Sequence, residues 1–243
     1  NQEETFFIVS SKSFATDEIL QTLALSKKWL ELKCSFDDHF FAVTSKQQKA
    51  EEYGFKNHNI IKFPEEIGGR YSIWSPISLP AILELGKDFI DFLIGGFEAD
   101  NHLLSDKKYC EFLKLICFSD IWYNNFLNKH TRVLLTYSWK MRFLSDYIQQ
   151  LEMESLGKKS NSPIFKNTGQ VLFGGFGPTA QHSYFQLLHQ GTSELCSDIY
   201  TLEDNIETNK LLYAQSHIQS NLMANGKNED LNSFEQINGN IPI

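Results

Sequence analysis

Thr5-Phe6-Phe7-Ile8-Val9-Ser10-Ser11-Lys12-Ser13-Phe14-Ala15-Thr16 opens on an apolar run, passes through a hydroxyl-rich turn and leads into a helical pattern from Asp17 to about Leu30. A run apolar on both faces suits a strand of a parallel sheet, because helices cover both of its sides. The same alternation continues outward. His39-Phe40-Phe41-Ala42-Val43-Thr44-Ser45 reads as a second strand, and Gln47 to Tyr53 as a short helix stopping near Gly54. Asn59-Ile60-Ile61-Lys62-Phe63 reads as a third strand, closing before Pro64. The order β-α-β-α-β implies an α/β fold with a parallel, doubly wound sheet. The turn at 11–16 has the outline of a phosphate cradle. Backbone N–H groups and the helix dipole attract an anion, to which Ser11, Ser13 and Thr16 can donate. Helix capping would use the same residue types.

After the third strand comes Glu65-Glu66-Ile67-Gly68-Gly69-Arg70-Tyr71-Ser72-Ile73-Trp74-Ser75-Pro76-Ile77-Ser78-Leu79-Pro80. Adjacent glycines let the backbone approach a ligand or take φ > 0. Arg70 then sits on a turn, the hydroxyls Ser72 and Ser75 follow, and Pro76 with its apolar run reads as a helix start. A turn, a fixed cation and a helix N-terminus suit a small anionic substrate. The plain alternative is a Gly-Gly turn carrying a surface arginine.

From Ile77 to about Asn128 the pattern is mostly helical. The stripes Ile90, Leu93, Ile94, Phe97 and Phe112, Leu115, Ile116, Ser119 are expected to face a core. Thr131-Arg132-Val133-Leu134-Leu135-Thr136-Tyr137 begins a second strand series, followed by a helix over about Phe143 to Glu152. Residues 159–169 read as an exposed loop and Gln170-Val171-Leu172-Phe173-Gly174 as a strand. Gly174-Gly175-Phe176-Gly177-Pro178-Thr179 leads to a helix beginning near Ala180. A last helix, Glu207 to about Ala224, precedes a polar tail without periodicity. Two α/β units thus follow one another, with no internal repeat of fixed period.

At 243 residues the chain allows one large domain or two small ones, and 42% apolar residues suffice for a core. A formal charge of −8 without any Lys/Arg block argues against a nucleic-acid partner. No run of 18 apolar residues is present to span a membrane, and no secretory pattern opens the chain. It begins almost directly on a strand, as if cut there. Cys34, Cys110, Cys117 and Cys196 fit neither a zinc site nor a redox pair, and read as reduced core thiols of a cytoplasmic protein.

Gln149-Gln150-Leu151-Glu152-Met153-Glu154-Ser155-Leu156-Gly157-Lys158 ends a helical pattern at a glycine. Glu152 and Glu154 are two apart and cannot face the same way on a helix. One is solvated while the other turns inward, where desolvation would raise its pKa toward that of a general base. An exposed helix-end glutamate is the ordinary alternative. In Gln181-His182-Ser183-Tyr184-Phe185-Gln186-Leu187-Leu188-His189-Gln190-Gly191-Thr192 a helix follows the glycine turn. His182 is expected in its first turn, where the dipole lowers its pKa, with His189 two turns on along the same face. A seven-residue spacing does not chelate a metal, so no metal is expected.

Four of these stretches, in order, resemble blocks of the phosphoglucose isomerase (glucose-6-phosphate isomerase) family. They are Ser11-Lys12-Ser13-Phe14-Ala15-Thr16, Gly68-Gly69-Arg70-Tyr71-Ser72, Met153-Glu154-Ser155 with Gly157-Lys158, and Gln181-His182 through Thr192. The likeness runs from about Thr5 to Pro242. It implies two α/β domains of sugar-isomerase (SIS) type: 1–80 as part of the first, 81–130 as a helical connection, and 131–243 as the second without its C-terminal part. It implies an aldose–ketose isomerase that interconverts glucose 6-phosphate and fructose 6-phosphate, in glycolysis and gluconeogenesis, with no cofactor or metal. Ser11, Lys12, Ser13 and Thr16 match its phosphate loop, and Arg70 matches the arginine that steadies the enediolate. Glu154 matches the base between C1 and C2, and Gln150 an active-site glutamine near it. His182 matches the histidine of ring opening, which in the family reaches the site from a partner subunit and so implies a homodimer. Glu152 should point elsewhere and tolerate replacement.

The chain departs from the family in places. Ala15 replaces a hydroxyl, Leu156 an asparagine, and Pro178-Thr179-Ala180 a Thr-Asn-Gly. An upstream glycine-serine segment and a C-terminal glycine-lysine block are missing; Asn232-Ser233-Phe234-Glu235-Gln236 is only faintly similar to the latter. The chain therefore reads as the middle of such an enzyme. The competing class is a non-catalytic sugar-phosphate-binding module or an inactive fragment. Glu154 and His182 favour the enzyme, and the missing lysine block favours the module.

Overall fold

In a computed structural model of the chain, residues 1–30, 34–202, 207–227, 232 and 235–243 are described. The chain packs as two units, Asn1–Lys107 and Lys108–Ile243.

The first unit contains β1 (Phe7–Ser10), α1 (Asp17–Leu30), α2 (Phe36–His39), β2 (Phe40–Thr44), α3 (Gln47–Glu52) and β3 (Ile60–Lys62). The strands lie in the order β1-β2-β3 and all are parallel, with Val9 opposite Ala42 and Val43 opposite Ile61. The β-α-β-α-β expectation therefore holds, each strand two residues shorter than read. Asp17 and Glu18 in the first turn of α1, and Lys27 and Lys28 in its last, match the helix dipole. Its Leu20, Leu23 and Leu30 join a core with Phe14, Phe40, Ala42, Ala50, Phe55 and Ile60. Phe40 lies between Phe7 and Phe36, with ring centroids at 4.6 and 4.5 Å. Each fully buried phenylalanine contributes about 1.5–3 kcal/mol.

Beyond β3, a 3-10 helix over Gly69–Trp74 and another over Pro76–Ser78 lead into α4 (Leu79–Leu85), α5 (Lys87–Ser105) and α6 (Lys107–Phe126). Trp74 stacks on Phe92 of α5, centroids 4.6 Å apart and planes 2° apart. It also lies over Gly96, where a Cβ would come within 2.5 Å of the indole. The segment that carries Arg70 is thus pinned to α5 by one tryptophan and one glycine.

The two apolar stripes do not face a core. Ile90, Ile94 and Phe97 on α5, and Phe112, Leu115 and Ile116 on α6, are all exposed, Phe97 by 67%. Phe89 is the buried residue of α5 and Asn124 that of α6. Helical periodicity identifies an apolar face; burial also requires something to cover it. The thiols are corrected likewise. All four are free, but only Cys196 is buried, and Cys117 is exposed.

The second unit contains β4 (Thr131–Thr136), α7 (Leu144–Leu156), β5 (Val171–Phe176), α8 (Gly177–Ala180), α9 (Phe185–Gln190), β6 (Leu195–Tyr200) and α10 (Glu207–Asn225). Its parallel sheet runs β5-β4-β6, so the chain crosses over β4 between its last two strands. Val133, Leu134 and Leu135 of the central strand are fully buried. Gly174 fits because a Cβ there would lie 1.9 Å from the Leu134 carbonyl oxygen. β6 has no counterpart in the sequence reading, since Ser197 and Asp198 interrupt its apolar run. The end of the chain, Asn240 to Pro242, is tied to the second unit. Asn240 and Ile241 N–H groups donate to the carbonyls of Ala224 and Met223, the Ser197 N–H donates to Pro242, and Ile241 is buried. Ser233 and Phe234 of the faint C-terminal likeness lie outside the described residues.

Candidate functional site

In the first unit the polar loops gather beyond the carboxyl ends of the parallel strands, where α/β sheets bind ligands. Ser11 follows β1, is buried, and accepts the Phe14 N–H on its Oγ at 3.1 Å. This closes a tight turn in which Phe14 takes φ 49° and plugs the core. Ser13 and Thr16 are left exposed on the turn, and the Thr16 carbonyl accepts the first α1 amides, from Ile19 and Leu20. The Lys12 carbonyl accepts from the Thr44 and Ser45 hydroxyls at the end of β2, at 3.1 and 2.9 Å. Its ammonium donates to the Ile67 carbonyl at 2.6 Å. Lys12 thereby joins the hydroxyl loop to the loop that carries Gly68, Gly69 and Arg70.

Neither glycine of that loop is required by the fold. Gly68 has φ −64°. A Cβ on Gly68 would make only ordinary contact with Tyr71 at 3.7 Å, and one on Gly69 would meet nothing within 4 Å. The open side of the loop is free for a ligand. The Ser72 and Ser75 hydroxyls donate to the carbonyls of Gly69 and Ser72, both at 2.6 Å, so they stabilise the 3-10 turn.

In the second unit α7 has two distinct faces. Gln150 and Glu154, four residues apart, lie on its exposed side, with the Gln150 Nε2 donating to Glu154 Oε2 at 3.2 Å. Glu152 points the other way, as the spacing requires. It pairs with Arg132, whose side chain is 4% exposed. The same guanidinium donates to Asp120 Oδ1 at 2.7 Å and faces Asp198 Oδ2 across 3.5 Å. Burial pushes the Glu152 carboxyl up; Arg132 offsets part of this, while Asp120 and Asp198 add to it. Asp198 rises for the same reason. Burial works to lower the Arg132 pKa, but Asp198, Asp120 and Glu152 outweigh it.

Glu152 is therefore no inert control position. It belongs to a cluster of three carboxylates around one buried cation, which joins β4, α6, α7 and β6. The available sequence signal was Arg132 itself, a charge set immediately before the apolar run Val133-Leu134-Leu135 in the same strand.

His182 is not in the first turn of a helix. α8 ends at Ala180, His182 lies exposed in the turn that follows, and α9 starts at Phe185. Gly177-Pro178 starts a single helical turn, and the break before α9 removes the expected common face with His189. His189 is half-buried, its Nε2 is 3.0 Å from Gln219 Oε1, and burial lowers its pKa. Gly177 itself is structural, since a Cβ would come within 2.4 Å of the Tyr137 ring. Burial raises the Tyr137 phenol to about 12, and Gln181 beside it partly offsets this without meeting hydrogen-bond geometry. Among the described residues no group of three His, Cys, Asp or Glu side chains is placed to hold a metal. No helix among them is long and apolar enough to cross a membrane.

Parallel three-stranded sheets joined through helices define the chain as an α/β protein of the doubly wound kind. Comparison with known proteins narrows this. The family model described as phosphoglucose isomerase matches residues 1–241. A glucose-6-phosphate isomerase of Legionella pneumophila (strain Lens) is 36% identical over 247 residues, covering 100% of this chain and 49% of the relative. One from Hydrogenovibrio crunogenus is 39% identical over 206 residues, covering 81% and 38%. The crystal structure of a glucose-6-phosphate isomerase from Chlamydia trachomatis superposes with a TM-score of 0.82 at 27% identity, over 100% of this chain and 50% of that one. The chain belongs to the phosphoglucose isomerase family, and it spans about half the length of the relatives it matches.

Proposed function

We propose that the chain is the central portion of an aldose–ketose isomerase that interconverts glucose 6-phosphate and fructose 6-phosphate. The match over residues 1–241 carries this reading. Residues 1–80 and 131–243 are read as parts of two sugar-isomerase domains and 81–130 as the helical connection. The exposed hydroxyls of Ser13 and Thr16, with Ser11 and Lys12, hold the substrate phosphate. Isomerisation removes the proton from C2 of the aldose and returns it to C1, leaving a planar enediolate between the two steps. One carboxylate above that plane can serve both carbons, so no cofactor is required. Glu154 is that base, Gln150 beside it orients the carboxylate or substrate hydroxyls, and Arg70 offsets the developing oxyanion. His182, exposed on its turn, assists ring opening across a homodimer interface. The setting is cytoplasmic sugar metabolism, in glycolysis and gluconeogenesis.

The experiment is substitution of Arg70 in the complete enzyme. A planar guanidinium fork and a point-charge ammonium are not interchangeable at a developing oxyanion. Arg70→Lys should lower kcat by roughly 10²-fold, the scale of losing one preorganised donor, with little change in KM. Unchanged turnover would remove Arg70 from the reaction.

A further inference from the structure

We infer that Arg132 is a positioning residue, which fixes the placement of the Glu154 carboxylate through Glu152; this rests on the isomerase reading above. Glu152 and Glu154 share the last turns of α7 but point in opposite directions. The anchor on the inner face therefore sets how far the outer face projects and how it is rotated.

Arg132 suits that role by position. It lies on β4, which is paired with β5 on one side and β6 on the other. Its guanidinium contacts one carboxylate from α6, one from α7 and one from β6. Two neutral contacts hold the same part of α7 to β5. The Gln149 Nε2 donates to the Leu172 carbonyl at 2.7 Å, and the Leu172 N–H donates to Met153 Sδ at 3.4 Å. The helix ends at Gly157, where a Cβ would strike the Met153 carbonyl at 2.2 Å.

An apolar contact at Glu152 would bury more surface without fixing direction. A buried ion pair is directional where an apolar contact is not, and buried polar groups fix register in some proteins. The planar fork of arginine can serve Asp120 and Glu152 at once in fixed relative orientation. A reacting base tolerates little misplacement: about 1 Å can cost on the order of 10²-fold in rate.

The test uses the complete enzyme and hexose 6-phosphate labelled with hydrogen isotope at C2. Three variants are compared with the parent: Glu154→Gln, Glu152→Gln and Glu152→Asp. The readouts are kcat and KM per folded molecule, and the share of label that reaches C1 instead of escaping to water in each turnover. Unfolded molecules lower the apparent rate but cannot alter that share, so a purely structural role leaves it unmoved. Glu152→Gln should lose roughly 10²-fold in kcat with KM nearly unchanged, and should release more label to water per turnover. Glu152→Asp retains the charge but withdraws it by one methylene; it should fall between the parent and Glu152→Gln. It also carries the test by the same readouts if Glu152→Gln does not fold. Parental kcat and label partition in either Glu152 variant, with Glu154→Gln inactive, would overturn the positioning role and leave the isomerase reading standing. An active Glu154→Gln would instead overturn the assignment of the base.

Discussion

Glu152 and Glu154 are separated by one residue and by a full change of environment. Their divergence is legible in the sequence, because a two-residue step reverses direction on a helix. Which of them turns inward is not legible there, because the deciding partner, Arg132, lies on another element. The cluster has a pH signature whose sign follows from burial. The Glu152 and Asp198 carboxyls are raised above their ordinary range, so the folded protein binds their protons more readily than the unfolded chain does. Stability contributed by such groups grows as pH falls from neutrality through the raised value to the ordinary carboxylate range, and is absent at higher pH. Glu152→Gln mimics the protonated side chain and loses its share of that slope. Thermal unfolding followed from pH 7 down to about 4.5 should show the parent gaining stability relative to Glu152→Gln. A relative loss would mean that Arg132 outweighs burial and holds Glu152 below its ordinary value.

At the scale of elements, the strands and helices of the first unit were legible because each announces itself locally, by a doubly apolar run or a 3.6-residue stripe. β6 was not, because its polar residues answer to β4 and not to their own neighbours. The same difficulty placed His182 on a helix. Gln181 to Tyr184 contain no glycine or proline to break a helix, yet the chain turns there and restarts at Phe185. Glycines divide in a way that composition cannot show. Gly174 and Gly177 are demanded by the Leu134 carbonyl and the Tyr137 ring, whereas Gly69 faces open space. Gly174→Ala should therefore lower the stability of the chain by about 1–3 kcal/mol or more, since a Cβ there overpacks the β4–β5 pair. Gly69→Ala should leave stability within about 0.5 kcal/mol, as an exposed change that meets nothing does. If the loop approaches the substrate, the same change should weaken sugar-phosphate binding. Denaturant unfolding of both variants checks the first pair of outcomes, and equal losses of stability would contradict the distinction.

At the scale of the molecule, each unit carries a parallel three-stranded sheet with its own core. The apolar faces of α5 and α6 remain exposed, and the relatives are about twice as long as this chain. The α/β class was legible from periodicity and the family from four ordered motifs, but the exposure of those faces depends on cover that no local pattern encodes. The proposed function turns most sharply on one proton transfer. Catalysis by a positioned acid–base group contributes ~10²–10⁴-fold. The most direct measurement is loss of isotope label from C2 of the hexose 6-phosphate, comparing the complete enzyme with its Glu154→Gln variant. Exchange should fall by at least that factor in the variant while sugar-phosphate binding persists; undiminished exchange would contradict the assignment of Glu154 as the base.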